Sequence, residues 1–258
     1  MSEPAILELA GVTRMFGGLR AVDGVSLSLP AGARHGLIGP NGAGKTTLFR
    51  LITGAERVTS GTIRFDGADV TGMAEHRRAR QGITQTFQHS QLFTGLSCRD
   101  NVLLALQRVD GSARRVLPAR RRALHARADE LLGRTGLPPR DERPVAALSH
   151  GERRQLEIAV ALGADPRLLL LDEPAAGMSP AETERLAGVV GDLDAELTVL
   201  LIEHDMDFVF SVARTVGVLH LGALIADGPA AEVRGSAEVE RVYLGGVSTD
   251  DLFLDPVP

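Results

Sequence analysis

Gly39-Pro40-Asn41-Gly42-Ala43-Gly44-Lys45-Thr46-Thr47 is the stretch on which the fold turns. From Gly39 to Thr46 it fits G-x-x-x-x-G-K-[ST], and the chemistry of phosphate binding needs those residue types in that order. Glycines let the backbone curl so that successive N–H groups face phosphate oxygens. A helix beginning at Lys45 would add its positive end. Lys45 would place a point charge on the β- and γ-phosphates of ATP, and the Thr46 hydroxyl would ligate Mg²⁺. The bland alternative is a glycine-rich turn before a helix. The surroundings weigh against it, because residues 36–38 read as a strand entering the loop and a helix runs from it to about Gly54.

Working outward, short apolar or alternating segments predict strands at 6–9, 25–29, 36–38, 62–65, 83–87, 168–171, 198–202, 216–219 and 223–226. Helical patterns at 149–163, 180–193 and 205–213 interleave with them. That alternation predicts an α/β domain with a mostly parallel core. Leu168-Leu169-Leu170-Leu171 is apolar throughout, as a central strand buried on both faces should be. Residues 96–148 show little strand character and much Ala, Leu and Arg; with the following helix they read as a helical subdomain at about 96–163, inserted in the core. Residues 1–247 are expected to form one ATP-binding domain, and 248–258 a loose polar tail.

Composition narrows the function. A chain of 258 residues with 44% hydrophobic residues can bury a full core. A net charge of -5 and an aromatic fraction of 3% argue against nucleic acid as a partner. Residues 114–127 are rich in Arg, which reads first as a solvated helical face and second as a contact for membrane headgroups or an acidic partner. The single cysteine, Cys98, leaves no intramolecular disulfide and fits a reducing compartment. No signal peptide is expected after Met1-Ser2-Glu3-Pro4, and no apolar run approaches the ~20 residues that span a bilayer. A soluble chain is expected.

Two further constellations carry chemistry. Asp172-Glu173-Pro174 follows the four leucines at the end of a parallel strand, the edge where such sheets bind ligands. Asp172 would hold Mg²⁺ and Glu173 would orient or deprotonate an attacking water. An acidic turn at a strand end is the competing reading, and the phosphate loop tips the balance. Ser149-His150-Gly151-Glu152 opens a helix. Ser149 and Glu152 have the spacing of a capping box, which is structural. The same helix start offers N–H groups, a hydroxyl and a positive dipole end to an anion, and both uses can hold.

Taken in order, the phosphate loop, Gln88, Ser149 to Glu152, Asp172-Glu173 and His204 resemble the ATP-binding cassette of ABC transporters over nearly the whole chain. The resemblance implies a P-loop NTPase core with an antiparallel β subdomain and an inserted helical subdomain. It implies that Phe16, where the family more often has Tyr, packs on adenine. It gives Gln88 a contact with Mg²⁺ and the water, and gives His204 a contact with the γ-phosphate. Ser149 and Gly151 would act in trans, closing over ATP held by a second cassette. Arg14 to Val22, Thr86 to His89, Glu173 to Met178, Leu201 to Met206 and Val242 to Gly245 are similar to the ATP-binding subunits of importers for branched-chain amino acids, with urea and short-amide importers as relatives. That likeness implies a second ATPase subunit, identical or related, two membrane permeases and an external solute-binding protein. The chain would sit in the cytoplasm on the inner face of the membrane, with permease contacts near residues 89–93 and on the helical lobe.

The sequence departs from the family's L-S-G-G-Q signature at His150 and Glu152. Glu152 would repel a partner's γ-phosphate unless it turns back to cap Ser149, and that orientation is the expectation here. Ser179 stands where the family usually has Asp. Rival readings are a free-standing exporter cassette, a soluble ABC ATPase of DNA repair or translation, and another P-loop class. The absence of a heptad run disfavours the repair type. The signature serine, Gln88 and His204 have no task in a kinase or GTPase.

Overall fold

The computed structural model describes residues 5–86, 92–109, 118–236 and 239. Two long strands come first, β1 (Ala5–Phe16) and β2 (Leu19–Pro30), paired antiparallel around Gly17-Gly18. They extend well beyond the predicted 6–9 and 25–29. The ladder shifts register between Leu9 and Val12, where Gly11 has φ 59°, and such bulges break the two-residue alternation that marks a strand in sequence. After β3 (Arg34–Ile38) and α1 (Lys45–Thr53), the strands β4 (Ser60–Phe65) and β5 (Ala68–Asp69) complete an antiparallel sheet in the order β2-β1-β4-β5.

A short helix α2 (Glu75–Arg80), unpredicted because all but one of its residues are polar, leads to β6 (Ile83–Gln85). Residues 87–91, including the end of the predicted 83–87 strand, lie outside the described residues. The chain is then helical: α3 (Cys98–Val109), α4 (Pro118–Arg134) and α5 (His150–Leu162). Next come β7 (Leu168–Asp172), α6 (Pro180–Gly191), β8 (Thr198–Ile202), α7 (Met206–Val212), β9 (Thr215–His220), β10 (Ala223–Pro229) and α8 (Ala230–Arg234). The second sheet runs β10-β9-β3-β8-β7-β6, parallel except for β10 at its edge.

This second sheet divides the core. Leu168 and Leu170 face one apolar cluster with Leu48, Phe49 and the inner residues of β1 and β2. Leu169 and Leu171 face the other, with Leu156, Leu186 and Val190 from the helical side. All four leucines are fully buried. That is the physical content of an unbroken apolar run: a parallel strand covered on both faces has no polar side to show. Among the described residues no helix is long and apolar enough to cross a membrane.

Candidate functional site

Strands β3, β8 and β7 are neighbours and parallel, so their C-terminal ends open on one edge of the sheet. The segments leaving them are the phosphate loop, Glu203-His204 and Asp172-Glu173. Three stretches scattered through the sequence are thereby brought to one place.

In the loop, Gly39 has φ 152° and Gly44 φ 103°. A Cβ would lie 2.1 Å from the Leu219 carbonyl oxygen at the first and 2.2 Å from that of Ala21 at the second, so no other residue fits either position. Helix α1 starts at Gly44 with no side-chain cap and no acid in its first turn, leaving its N–H groups available to an anion. The Lys45 ammonium donates to the carbonyls of Gly39 at 2.6 Å and Pro40 at 3.1 Å. Burial pulls its pKa down, opposed by Glu173, Asp172 and Glu203. Asn41, Gly42 and Thr46 are exposed at the loop surface, Pro40 and Thr47 half-buried and Ala43 buried.

At the end of β7, burial and then neighbouring Glu173 push the Asp172 carboxyl up, against Arg50, Arg154 and Lys45. Glu173 has φ 47°, a left-handed conformation that L side chains rarely adopt, and its N–H donates to the Ile202 carbonyl at 2.9 Å. Strain of this kind at a non-glycine residue costs on the order of 1 kcal/mol and gathers at functional sites.

Beyond β8, His204 has a 62% exposed side chain whose Nδ1 lies 3.4 Å from Glu203 Oε2. Glu203 itself is fully buried. Its Oε1 accepts from the Ala175 N–H at 2.8 Å, and its Oε2 from the N–H groups of His204 at 2.9 Å and Asp205 at 3.4 Å. Sequence reasoning passed over this residue. The available signal was a carboxylate placed directly after four apolar residues, Val199 to Ile202.

At the start of α5, Ser149 and Glu152 form the capping box: Glu152 N–H donates to Ser149 Oγ at 3.2 Å, and Ser149 N–H to Glu152 Oε2 at 2.9 Å. Arg143 pairs with the other Glu152 oxygen at 2.8 Å. These contacts, the Ser149 N–H first, hold the Glu152 carboxyl below the ordinary carboxylate range. Glu152 therefore faces its own helix start. Ser149 and Gly151 line a cleft with Gly136, Gln155, Met178 and Glu182, and no residue of the phosphate loop lines it. Phe16 is 45% exposed at the end of β1, with the Arg14 guanidinium 4.5 Å over its ring. Gln88 lies outside the described residues, as do residues 242–245 and the tail.

The family model described as ABC transporter matches residues 22–176. The chain is 41% identical to the high-affinity branched-chain amino acid transport ATP-binding protein BraF of Pseudomonas aeruginosa, over 95% of this chain and 99% of that one. It is 39% identical to the corresponding protein LivG of Escherichia coli K12, over 95% and 99%. Its fold matches the crystal structure of the ADP conformation of MJ1267, an ATP-binding cassette of an ABC transporter, with TM-score 0.83 and 29% identity over 94% and 99%.

Proposed function

The chain belongs to the ABC transporter family, and from that premise we propose that it is the ATP-hydrolysing subunit of an importer of branched-chain amino acids. The observation that carries the reading is the meeting of the phosphate loop, Asp172-Glu173 and His204 on one edge of the sheet, in a chain alike along almost its whole length to branched-chain amino acid transport ATPases.

The loop N–H groups from Gly39 to Thr47, the open start of α1 and Lys45 would cradle the phosphates of ATP. Phe16 would stack on adenine. When bound, Mg²⁺ neutralises charge on the phosphates. Thr46, Asp172 and Gln88 are the residues that would hold it, and the raised pKa of Asp172 fits a group awaiting a cation. Glu173 would take the proton of the attacking water, its backbone fixed by the Ile202 carbonyl. His204 would contact the γ-phosphate.

Ser149 and Gly151 would close over ATP bound to a second cassette, so that two nucleotides lie between two subunits. Closing on ATP and opening after hydrolysis is the two-state movement that a pair of permeases can read. The chain would then work on the inner face of the membrane, supplied by an external solute-binding protein. The region of about 96–163 would be its helical subdomain, within a cassette of residues 1–247.

Uptake tests the reading. A strain lacking this gene, complemented with the wild type or with Glu173→Gln, is assayed for labelled leucine, urea and acetamide at low concentration. Leucine uptake should be lost on deletion and restored by the wild type alone. Restoration of urea or acetamide uptake instead would move the assignment to the urea and amide relatives, and unchanged uptake of all three would reopen the exporter and soluble readings.

A further inference from the structure

Strands β7 and β8 stay in register to Asp172 opposite Ile202, and the Glu173 N–H to Ile202 carbonyl bond is the last main-chain link between them. Beyond it the two segments part. One turns through residues 173–177, and the other enters α7, where Asp205 caps the helix by accepting from the Phe208 N–H at 3.1 Å. The carboxylate of Glu203 spans the gap, with Oε1 on the Ala175 N–H of one segment and Oε2 on the His204 and Asp205 N–H groups of the other.

We infer that Glu203 is a positioning residue for ATP hydrolysis, tying the segment that carries Glu173 to the one that carries His204. This rests on the roles proposed above for those two side chains. Past that bond neither segment is held by its own strand, because both have left the ladder. A fully buried side chain that only accepts hydrogen bonds suits three converging N–H donors, and an ionised carboxylate is the one natural side chain that offers two acceptor oxygens without a donor. A glutamine there would turn an NH₂ group towards one set of N–H donors and push the two segments apart.

Steady-state MgATP turnover by the purified full chain, with its partner cassette if that is a related chain, tests this. Glu203→Gln should lower kcat about tenfold or more while KM for ATP changes less than about threefold, because the group acts on the reacting geometry and not on nucleotide binding. Glu203→Asp, which keeps the charge and can still reach the adjacent N–H groups, should recover part of that loss. A kcat within about twofold of wild type in Glu203→Gln, or a KM that rises in step with a falling melting temperature, would overturn the inference. Should Glu203→Gln not fold, wild-type kcat in Glu203→Asp overturns it equally. The underlying reading fails separately, if Glu173→Gln turns over like the wild type.

Discussion

Glu152 shows how one side chain can reconcile a sequence with the chemistry asked of it. A carboxylate in the signature would oppose a phosphate, yet here both oxygens are committed, to the Ser149 N–H and to Arg143. Glu152→Gln should leave ATP affinity within about threefold and lower stability by about 1 kcal/mol through a weaker cap, read by nucleotide titration and urea unfolding. Affinity raised tenfold or more would mean that the carboxylate faces nucleotide. His35 offers a second test at this scale. It is buried in β3 with Nδ1 2.9 Å from Thr215 Oγ1, and burial pulls its pKa down from 6.5 to about 4. Its Nε2 is 3.8 Å from Asp227 Oδ1, but an imidazole that titrates near 4 is neutral at pH 7, so the approach is no ion pair there. The unfolded chain takes up this proton first. Stability from this group is therefore full above pH 6.5 and falls as pH drops towards 4. The loss at the lower end is about 3 kcal/mol at 1.36 kcal/mol per pKa unit. Unfolding midpoints of wild type and His35→Leu measured across that window should converge as pH falls, and a constant difference would refute a neutral buried imidazole.

At the scale of elements, what the sequence revealed depended on how local the cause was. Helix α1 and its loop were legible because the glycines, Lys45 and Thr46 are contiguous. Strand β7 was legible because burial on both faces leaves four leucines in a row. Helix α2 was not legible, because the reason for its presence lies elsewhere in the chain. Its Arg78 is 1% exposed and donates to the carbonyls of Leu51 and Ile52 at the end of α1, and to those of Thr71 and Met73. Burial lowers its pKa to about 10, so it stays charged at neutral pH, and it acts as a cap delivered from another helix. Arg143 and Glu203 escaped notice for the same reason, since a long-range hydrogen bond leaves no periodic mark. Arg78→Met should destabilise the chain by about 3 kcal/mol, because it leaves buried carbonyls without donors. A surface residue of α2 such as Arg77 should tolerate the same change within about 0.5 kcal/mol. Leu170→Ala should cost about 2–5 kcal/mol, and urea unfolding measures all three.

For the whole molecule, the separation of the starts of α1 and α5 matters most. The start of α1 lies beside Lys45 on the β3 edge, and the start of α5 opens on a cleft that the phosphate loop does not line. On the proposed reading a single chain would carry two complementary halves of a nucleotide site without joining them. A second copy, or a related chain, related by a two-fold axis would join each half to its counterpart, and such an isologous pairing closes on itself. Turnover per chain should then rise with protein concentration and level off once the pair is formed, because a lone subunit offers ATP only half of its contacts. Glu173→Gln should remain bound to MgATP and accumulate as the pair in size-exclusion chromatography, with Ser149→Arg preventing that accumulation while lowering the melting temperature of the isolated chain by no more than the few degrees that loss of a helix cap costs. If this chain pairs with a related cassette, the shift appears only when the two are mixed. A concentration-independent kcat, with no larger species in either experiment, would place the whole reaction within one subunit and leave the start of α5 as a cap alone.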